Sequence, residues 1–264
     1  MKNGLQSVID KGEIERFLLG DAGLHVYSIG DLDDFFWPYT AWHGWYERGE
    51  LRSLFLVYSG TDLPVLLALE ERDRGAAAAL LKELLPRLPK RFYSHVSPYL
   101  GGVLAGCASV EPHGLHAKMS LRSPERLKAA ILPGYPARAM RVEDLPAIME
   151  LYARAYPDNW FDKRMLATGK YHGAFLDSRL VAIAGIHVYS EKYGVAALGN
   201  ITTDPEFRGK GLGASITATV CEDILKDVSF IGLNVLADNA AAIRCYEKIG
   251  FKVDSTYDEF MVTR

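Results

Sequence analysis

Between residues 204 and 213 the chain reads Asp204, Pro205, Glu206, Phe207, Arg208, Gly209, Lys210, Gly211, Leu212, Gly213. Two basic side chains are interleaved with three glycines. Glycine lacks the Cβ that would hold a ligand at a distance, so successive backbone N–H groups in such a stretch can converge on one anion. An apolar run from Val195 to Thr203 leads into the turn, and from Leu212 apolar residues recur at Ile216, Val220 and Ile224, one face of a 3.6-residue period. A strand therefore feeds a turn that opens a helix, whose dipole adds positive potential where the amides meet. A phosphate is the natural occupant. The glycines make neither GxxxxGK[ST] nor GxGxxG; they make RxxGxG, at Arg208, Gly211 and Gly213.

A second group of residues follows. Ile231 to Ala237 reads as a buried strand, Asp238 and Asn239 offer N-cap oxygens, and Ile243, Tyr246 and Ile249 fall on one side of a helix that Gly250 closes. Within it Asn239, Ala242, Tyr246, Gly250 and Phe251 make the pattern NxxAxxxYxxxGF.

These two motifs, in this order and each on its own strand, turn and helix, resemble those of the GNAT-type N-acetyltransferases. The resemblance implies acetyl-coenzyme A as co-substrate, with its diphosphate on Arg208, Gly209, Lys210, Gly211, Leu212, Gly213 and Ala214. It also implies a bulge in the preceding strand, for which Gly199 is the sequence sign. Past that bulge, backbone groups of Ile201, Thr202 and Thr203 would bond the pantetheine arm and the thioester. Asn239 would bond the pantetheine as well as cap its helix, and Tyr246 would protonate the departing thiolate. Arg208 is expected to support the turn or a phosphate rather than take part in chemistry. On the acceptor side the resemblance points to the stretch 158–168, with Tyr156 and Trp160 as wall candidates against a reading as ordinary packing. His187 is either a core histidine or a group facing the acceptor. Asn234 stands where several relatives carry a glutamate base, and an amide cannot take up a proton at working pH. That departure argues against the branch that acetylates protein N-termini. The implied reaction is direct transfer of acetyl to the amine of a small molecule; a protein amine, or a non-catalytic acyl-CoA sensor, are the alternatives, and longer acyl donors suit the same turn.

The fold class expected is mixed α/β, with a GNAT-like domain at 136–264 and a divergent α/β domain at 1–132. In the second half, Ala137 to Val142 reads as a strand, and Asp144 and Pro146 start a helix with Leu145, Ile148, Leu151, Tyr152 and Ala155 on its buried stripe. Tyr171 to Leu176 and Leu180 to Tyr189 form a hairpin across Asp177 and Ser178. In the first half, residues 13–19 read as a helix, His25 to Ser28 as a strand, Leu51 to Tyr58 and Leu63 to Leu69 as a hairpin, Gly75 to Leu85 as a helix, and Arg91 to Val96 as a strand. Trp37, Trp42 and Trp45 lie with Phe35, Phe36, Tyr39 and Tyr46, and rings of this size usually bury area. Arg72, Gly75 and Ala77 make a lone RxxGxA, a relic of a second acyl-CoA turn if the chain is duplicated.

Across 264 residues, 49% hydrophobic and 24% charged, the formal net charge is −3. That is a soluble globular composition with no basic footprint for nucleic acid or an anionic membrane. Apolar runs fall short of a membrane span, and residues 1–12 lack a signal-peptide layout. Cys107, Cys221 and Cys245 are an odd number without metal-ligand spacing, which suits free thiols in a cytoplasm. His95, His113 and His116 lack the spacing of a metal site and read as turn or core residues. No metal is expected, and oligomeric state is not readable.

Overall fold

The computed structural model describes residues 2–264. Its chain divides into two compact units, one holding residues through Lys118 with Leu236–Asp238 and Asp254–Arg264, the other Met119–Val235 with Asn239–Val253. Residues 119–132, placed with the amino-terminal half in the sequence reading, fall in the second unit, and the last eleven residues fall in the first.

The first unit contains β1 (Gly4–Ser7), α1 (Lys11–Leu18), α2 (Ala22–Gly30), β2 (Thr40–Glu47), β3 (Glu50–Tyr58), β4 (Val65–Ala68), α3 (Arg74–Leu84), β5 (Arg91–Val96), α4 (Gly101–Ala105) and most of β6 (Ser109–Leu121). Strands β1 to β4 pair antiparallel in chain order, and β5 then runs parallel to β4. Helix α3 is the crossover. Its Ala77, Leu80, Leu81 and Leu84 are fully buried on Phe55, Leu66, Phe92 and Val96 of the sheet, and each leucine so buried contributes about 1.5–3 kcal/mol. One expectation fails here: His25 to Ser28 is not a strand but the middle of α2. Asp21 accepts the N–H of Leu24 at 3.1 Å and caps that helix, and a short apolar run without punctuation does not by itself distinguish helix from strand. The tryptophan segment packs, with Trp37 stacked on Trp42 at 6.3 Å and Trp42 buried.

The second unit contains α5 (Leu127–Ala130), β7 (Ala137–Ala139), α6 (Leu145–Ala155), β8 (His172–Leu176), β9 (Arg179–Ser190), β10 (Val195–Thr203), α7 (Leu212–Ile224), most of β11 (Phe230–Leu236), α8 (Ala240–Lys248) and the start of β12 (Phe251–Thr263). Its sheet runs β11-β10-β9-β8-β7, with β10 and β11 parallel and the other pairs antiparallel. Asp177 and Ser178 both take positive φ, 47° and 70°, in the β8–β9 turn, the twist that a two-residue hairpin needs. Leu212, Ile216, Val220 and Ile224 of α7 are buried as their period requires. Each unit thus holds four antiparallel strands, a helix, and a strand parallel to the fourth. Among the described residues no helix is long and apolar enough to cross a membrane.

The end of β12 returns to the first unit, where it pairs antiparallel with β5. Glu259 lies opposite His95 there, with His95 Nε2 at 3.3 Å and His116 Nε2 at 3.6 Å from its Oε1. The Tyr93 hydroxyl also donates to it, and His113 packs edge-on to Tyr93. These histidines are strand residues around a carboxylate, and among the described residues no group of three or more His, Cys, Asp or Glu could hold a metal ion. Nearby, Lys118 is buried with its ammonium 5.1 Å from the ring centroids of Tyr27 and Tyr257. Burial pushes its pKa down to about 7, against the pull of Glu259. In the unfolded chain the same amine holds its proton to about pH 10, so between those values unfolding takes up a proton and stability rises with pH. Relative to Lys118→Met, wild-type stability should therefore climb by up to about 1.4 kcal/mol per pH unit from pH 7 to 10 in urea titrations. A constant difference across that range refutes it.

Candidate active site

Parallel pairing of β10 with β11 covers only Val195 to Leu198 against Phe230 to Leu233. Beyond it β10 continues to Thr203 beside β9 alone, and two complementary irregularities mark the change. Val188 and Ile186 face Ala197 and Leu198, leaving His187 as the extra residue of β9. Gly185 and Ile183 then face Gly199 and Thr202, placing the extra residue in β10, where Asn200 takes φ of +54°. The bulge expected at Gly199 is present. A side chain at Gly199 would collide with the His187 imidazole, and one at Gly185 with the Tyr171 ring. Both paired glycines are therefore required for these rings to cross the strands. The carboxyl end of β10, Ile201 to Thr203, is left with an edge that makes no ladder with β11.

Asn200 was not among the candidates, although a Gly-Asn pair inside a strand is the signal of a position with positive φ. It is 5% exposed. Its Nδ2 donates to the Tyr171 hydroxyl at 3.0 Å, its Oδ1 accepts the Trp160 N–H at 3.1 Å, and its carbonyl accepts the Tyr152 hydroxyl at 2.8 Å. Tyr171 in turn donates to the Ile186 carbonyl at 3.0 Å.

Past the strand, Gly209 and Gly211 take φ of +76° and +84°, and Gly211 is the N-cap of α7. Helices α1, α2, α3 and α8 are each capped by a side chain, from Asp10, Asp21, Asp73 and Asn239. Helix α7 has no side-chain cap. Its first amides, at Leu212, Gly213 and Ala214, have no partner within the helix, as the first N–H groups of any helix do not. A Cβ on Gly213 would meet Thr203 Oγ1 at 3.5 Å and Cys245 Sγ at 3.7 Å; β10, α7 and α8 converge there. Arg208 turns away from this cradle. It donates to the carbonyls of Thr203 at 3.2 Å and Ala155 at 3.1 Å, tying the end of α6 to the end of β10. Lys210 donates to the Glu206 carbonyl at 3.2 Å and lies over the Phe207 ring. The corresponding turn of the first unit is closed: Glu70 accepts the amides of Arg72 at 2.6 Å and Asp73 at 3.4 Å, and Asp73 accepts that of Ala76 at 3.0 Å. Two carboxylates stand where an anion would bind.

Tyr246 is 9% exposed on α8. Burial above all, then Cys245, Tyr156 and Cys221, raise its phenol well above the ordinary value, so it is a proton donor and not a phenolate at neutral pH. Asn239 Oδ1 is engaged by the Ala242 N–H at 3.1 Å, leaving its amide N–H groups to donate elsewhere. Of the acceptor-side candidates, Tyr156 acts electrostatically on Tyr246, Trp160 is 47% exposed with its backbone on Asn200, and His187 is half-buried at the bulge. Asn234 is half-buried on β11 where the strands part.

Residues 138–251 match the acetyltransferase (GNAT) family model. Over 113 residues the chain is 34% identical to a [ribosomal protein bS18]-alanine N-acetyltransferase of Salmonella typhimurium, covering 41% of this chain and 74% of that protein. Over 224 residues it is 25% identical to a mycothiol acetyltransferase of Mycolicibacterium gilvum, covering 71% of this chain and 69% of that protein. A tandem GNAT protein from the clavulanic acid biosynthesis pathway superposes with a TM-score of 0.60 at 15% identity, over 98% of each chain. The open turn before α7, the parted strands and these matches define an acyltransferase. The chain belongs to the GNAT family of acetyltransferases.

Asp204, missed in the sequence because its partners are remote, ends β10 as a fully buried carboxylate. Arg154 of α6 and Arg179 of β9 each reach it at 2.7 Å. Burial alone would raise its pKa, but Arg179, Arg154 and the Glu206 N–H hold it below the usual carboxylate range. Its stabilisation is complete above the unfolded value near 4 and is lost as pH falls through the lower folded value. Asp204→Asn should cost about 1–3 kcal/mol at pH 7 in urea unfolding, a difference that shrinks below pH 4; a pH-independent difference contradicts this account.

Proposed function

We propose that this protein transfers the acetyl group of acetyl-coenzyme A to a primary amine in a ternary complex, with the second unit as the transferase domain. GNAT acetyltransferases use acetyl-CoA, and the uncapped amino terminus of α7 is the observation that carries the donor site. The amides of Leu212, Gly213 and Ala214 take the diphosphate, the free edge of Ile201, Thr202 and Thr203 takes the pantetheine arm, and the Asn239 amide adds a donor beside it. Arg208 and Lys210 brace the turn through the backbone carbonyls they already hold. An N–H of the bulged segment polarises the thioester carbonyl as the tetrahedral oxyanion forms. The amine attacks that carbon, the C–S bond breaks, and Tyr246 gives its proton to the sulfur while the amine's proton leaves to water or His187. Holding donor and acceptor in line can itself supply up to about 7–11 kcal/mol.

The acceptor is taken to be a small molecule bound against Tyr156 and Trp160. Support comes from the coverage of the relatives: the mycothiol acetyltransferase matches 71% of this chain, well into the first unit, whereas the bS18-alanine enzyme matches 41%. That second relative has the higher identity, and it favours a protein amine as the other reading. Release of coenzyme A thiol with a panel of an alkylamine, an amino sugar, a polyamine and an alanine-terminated peptide separates the two. The first unit is proposed to be a copy of the same topology without a donor site of its own, its turn closed by Glu70 and Asp73. Tyr246→Phe should lower kcat by about 100-fold or more while the Kd for acetyl-CoA in calorimetry stays within twofold; an unchanged kcat removes Tyr246 from the chemistry.

A further inference from the structure

One side chain on the donor strand of the second unit reaches the acceptor-side loop directly. Asn200 supplies the positive φ that forms the bulge in β10. The same residue receives the Trp160 backbone N–H on Oδ1 at 3.1 Å, and its Nδ2 is oriented by the Tyr171 hydroxyl at 3.0 Å. Beside that bond the loop also braces itself: Asn159 Nδ2 donates to the Tyr156 carbonyl at 2.8 Å and its Oδ1 accepts the Phe161 N–H at 3.0 Å. Phe161 then packs on the Tyr152 and Tyr171 rings at 5.4 and 5.5 Å. The Trp160 indole and the Tyr156 ring stay half exposed, 47% and 38%, although the backbone between them is pinned from below. A buried amide that satisfies both a strand irregularity and a loop N–H is costly to misplace.

We propose that Asn200 is a positioning residue for the acceptor: its backbone sets the bulge that serves the donor, and its side chain separately fixes the loop that carries Tyr156 and Trp160. The inference rests on the acetyltransfer reading, and its two halves come apart by substitution. Glycine retains positive φ at no steric cost but lacks the side chain, while aspartate tolerates the same backbone and keeps an oxygen for the Trp160 N–H. Asn200→Gly should leave the calorimetric Kd for acetyl-CoA within about twofold of wild type. It should speed hydrogen exchange of the Trp160 amide by tenfold or more, and raise the KM for the most readily acetylated amine of the panel by a similar factor. Asn200→Asp should restore slow exchange at Trp160 and much of that KM, and thermal melts establish that both variants fold. Unchanged exchange and KM in Asn200→Gly overturn the inference, as does an equal loss of acetyl-CoA and acceptor affinity, which marks a merely structural residue. If wild type itself gives no calorimetric signal with acetyl-CoA, the functional reading falls and takes this one with it. If wild type binds acetyl-CoA but acetylates no amine of the panel, the exchange result alone decides.

Discussion

Everything in the second unit's site follows from backbone groups that the fold declines to pair. Strand β10 leaves β11 after Leu198, and α7 begins on a glycine with no side-chain cap. Side chains cap α1, α2, α3 and α8, and at these two adjacent openings the backbone groups are left without such a cap or a ladder partner on β11. Neither would hold in isolation. The parting of the strands is enforced by opposed bulges at His187 and Asn200, and by rings laid over Gly185 and Gly199. The turn is held by Arg208 on the Thr203 and Ala155 carbonyls and by Asp204 between two arginines. Charged residues around this turn thus serve mainly to shape backbone, and in the proposed function the backbone does the recognition.

Comparison of α3 with α7 shows how little sequence separates an open cradle from a closed one. Both follow a fourth antiparallel strand and both lead to a parallel partner. Before α3 stand Glu70 and Asp73, whose oxygens take three amides. Before α7 stand Gly209 and Gly211, which have nothing to offer. An acidic side chain at such a turn is a built-in competitor of phosphate, since it satisfies the same donors without loss of translational entropy. Two carboxylates are enough to satisfy amides of the kind that the glycine turn before α7 leaves uncapped.

What could be read from the sequence was what is local. The strand, turn and helix of residues 195–224 were legible because glycine spacing and a 3.6-residue period lie within one stretch, and Asn239, Tyr246 and Gly250 were legible for the same reason. Gly199 announced its bulge. Illegible were the groups whose partners are remote: Asp204 with Arg154 and Arg179, Asn200 with Tyr152, Tyr171 and Trp160, and Glu259 with His95 and His116. Burial makes each of these strong, yet no spacing rule connects residues brought together by sheet order. His25 to Ser28 failed for a simpler reason. A short apolar run carries too few residues to reveal its period, and only the cap at Asp21 decides it.

The absence of a carboxylate at Asn234 acquires a physical meaning beside the environment of Tyr246. Burial disfavours a charged form whatever its sign: it raises the phenol, and by the same desolvation it lowers the pKa of an ammonium drawn in beside it. In the proposed reaction, burial of this kind keeps the acid protonated and makes an amine drawn in beside it easier to deprotonate, the two states that acetyl transfer requires at once. A fixed carboxylate at that depth would work against the second effect, since it stabilises the ammonium it is meant to deprotonate. An amide at position 234 keeps a polar group at the parting of the strands without adding that charge. In the proposed reaction the nucleophile is favoured chiefly by desolvation, and its proton leaves to water or His187 rather than to a carboxylate at position 234.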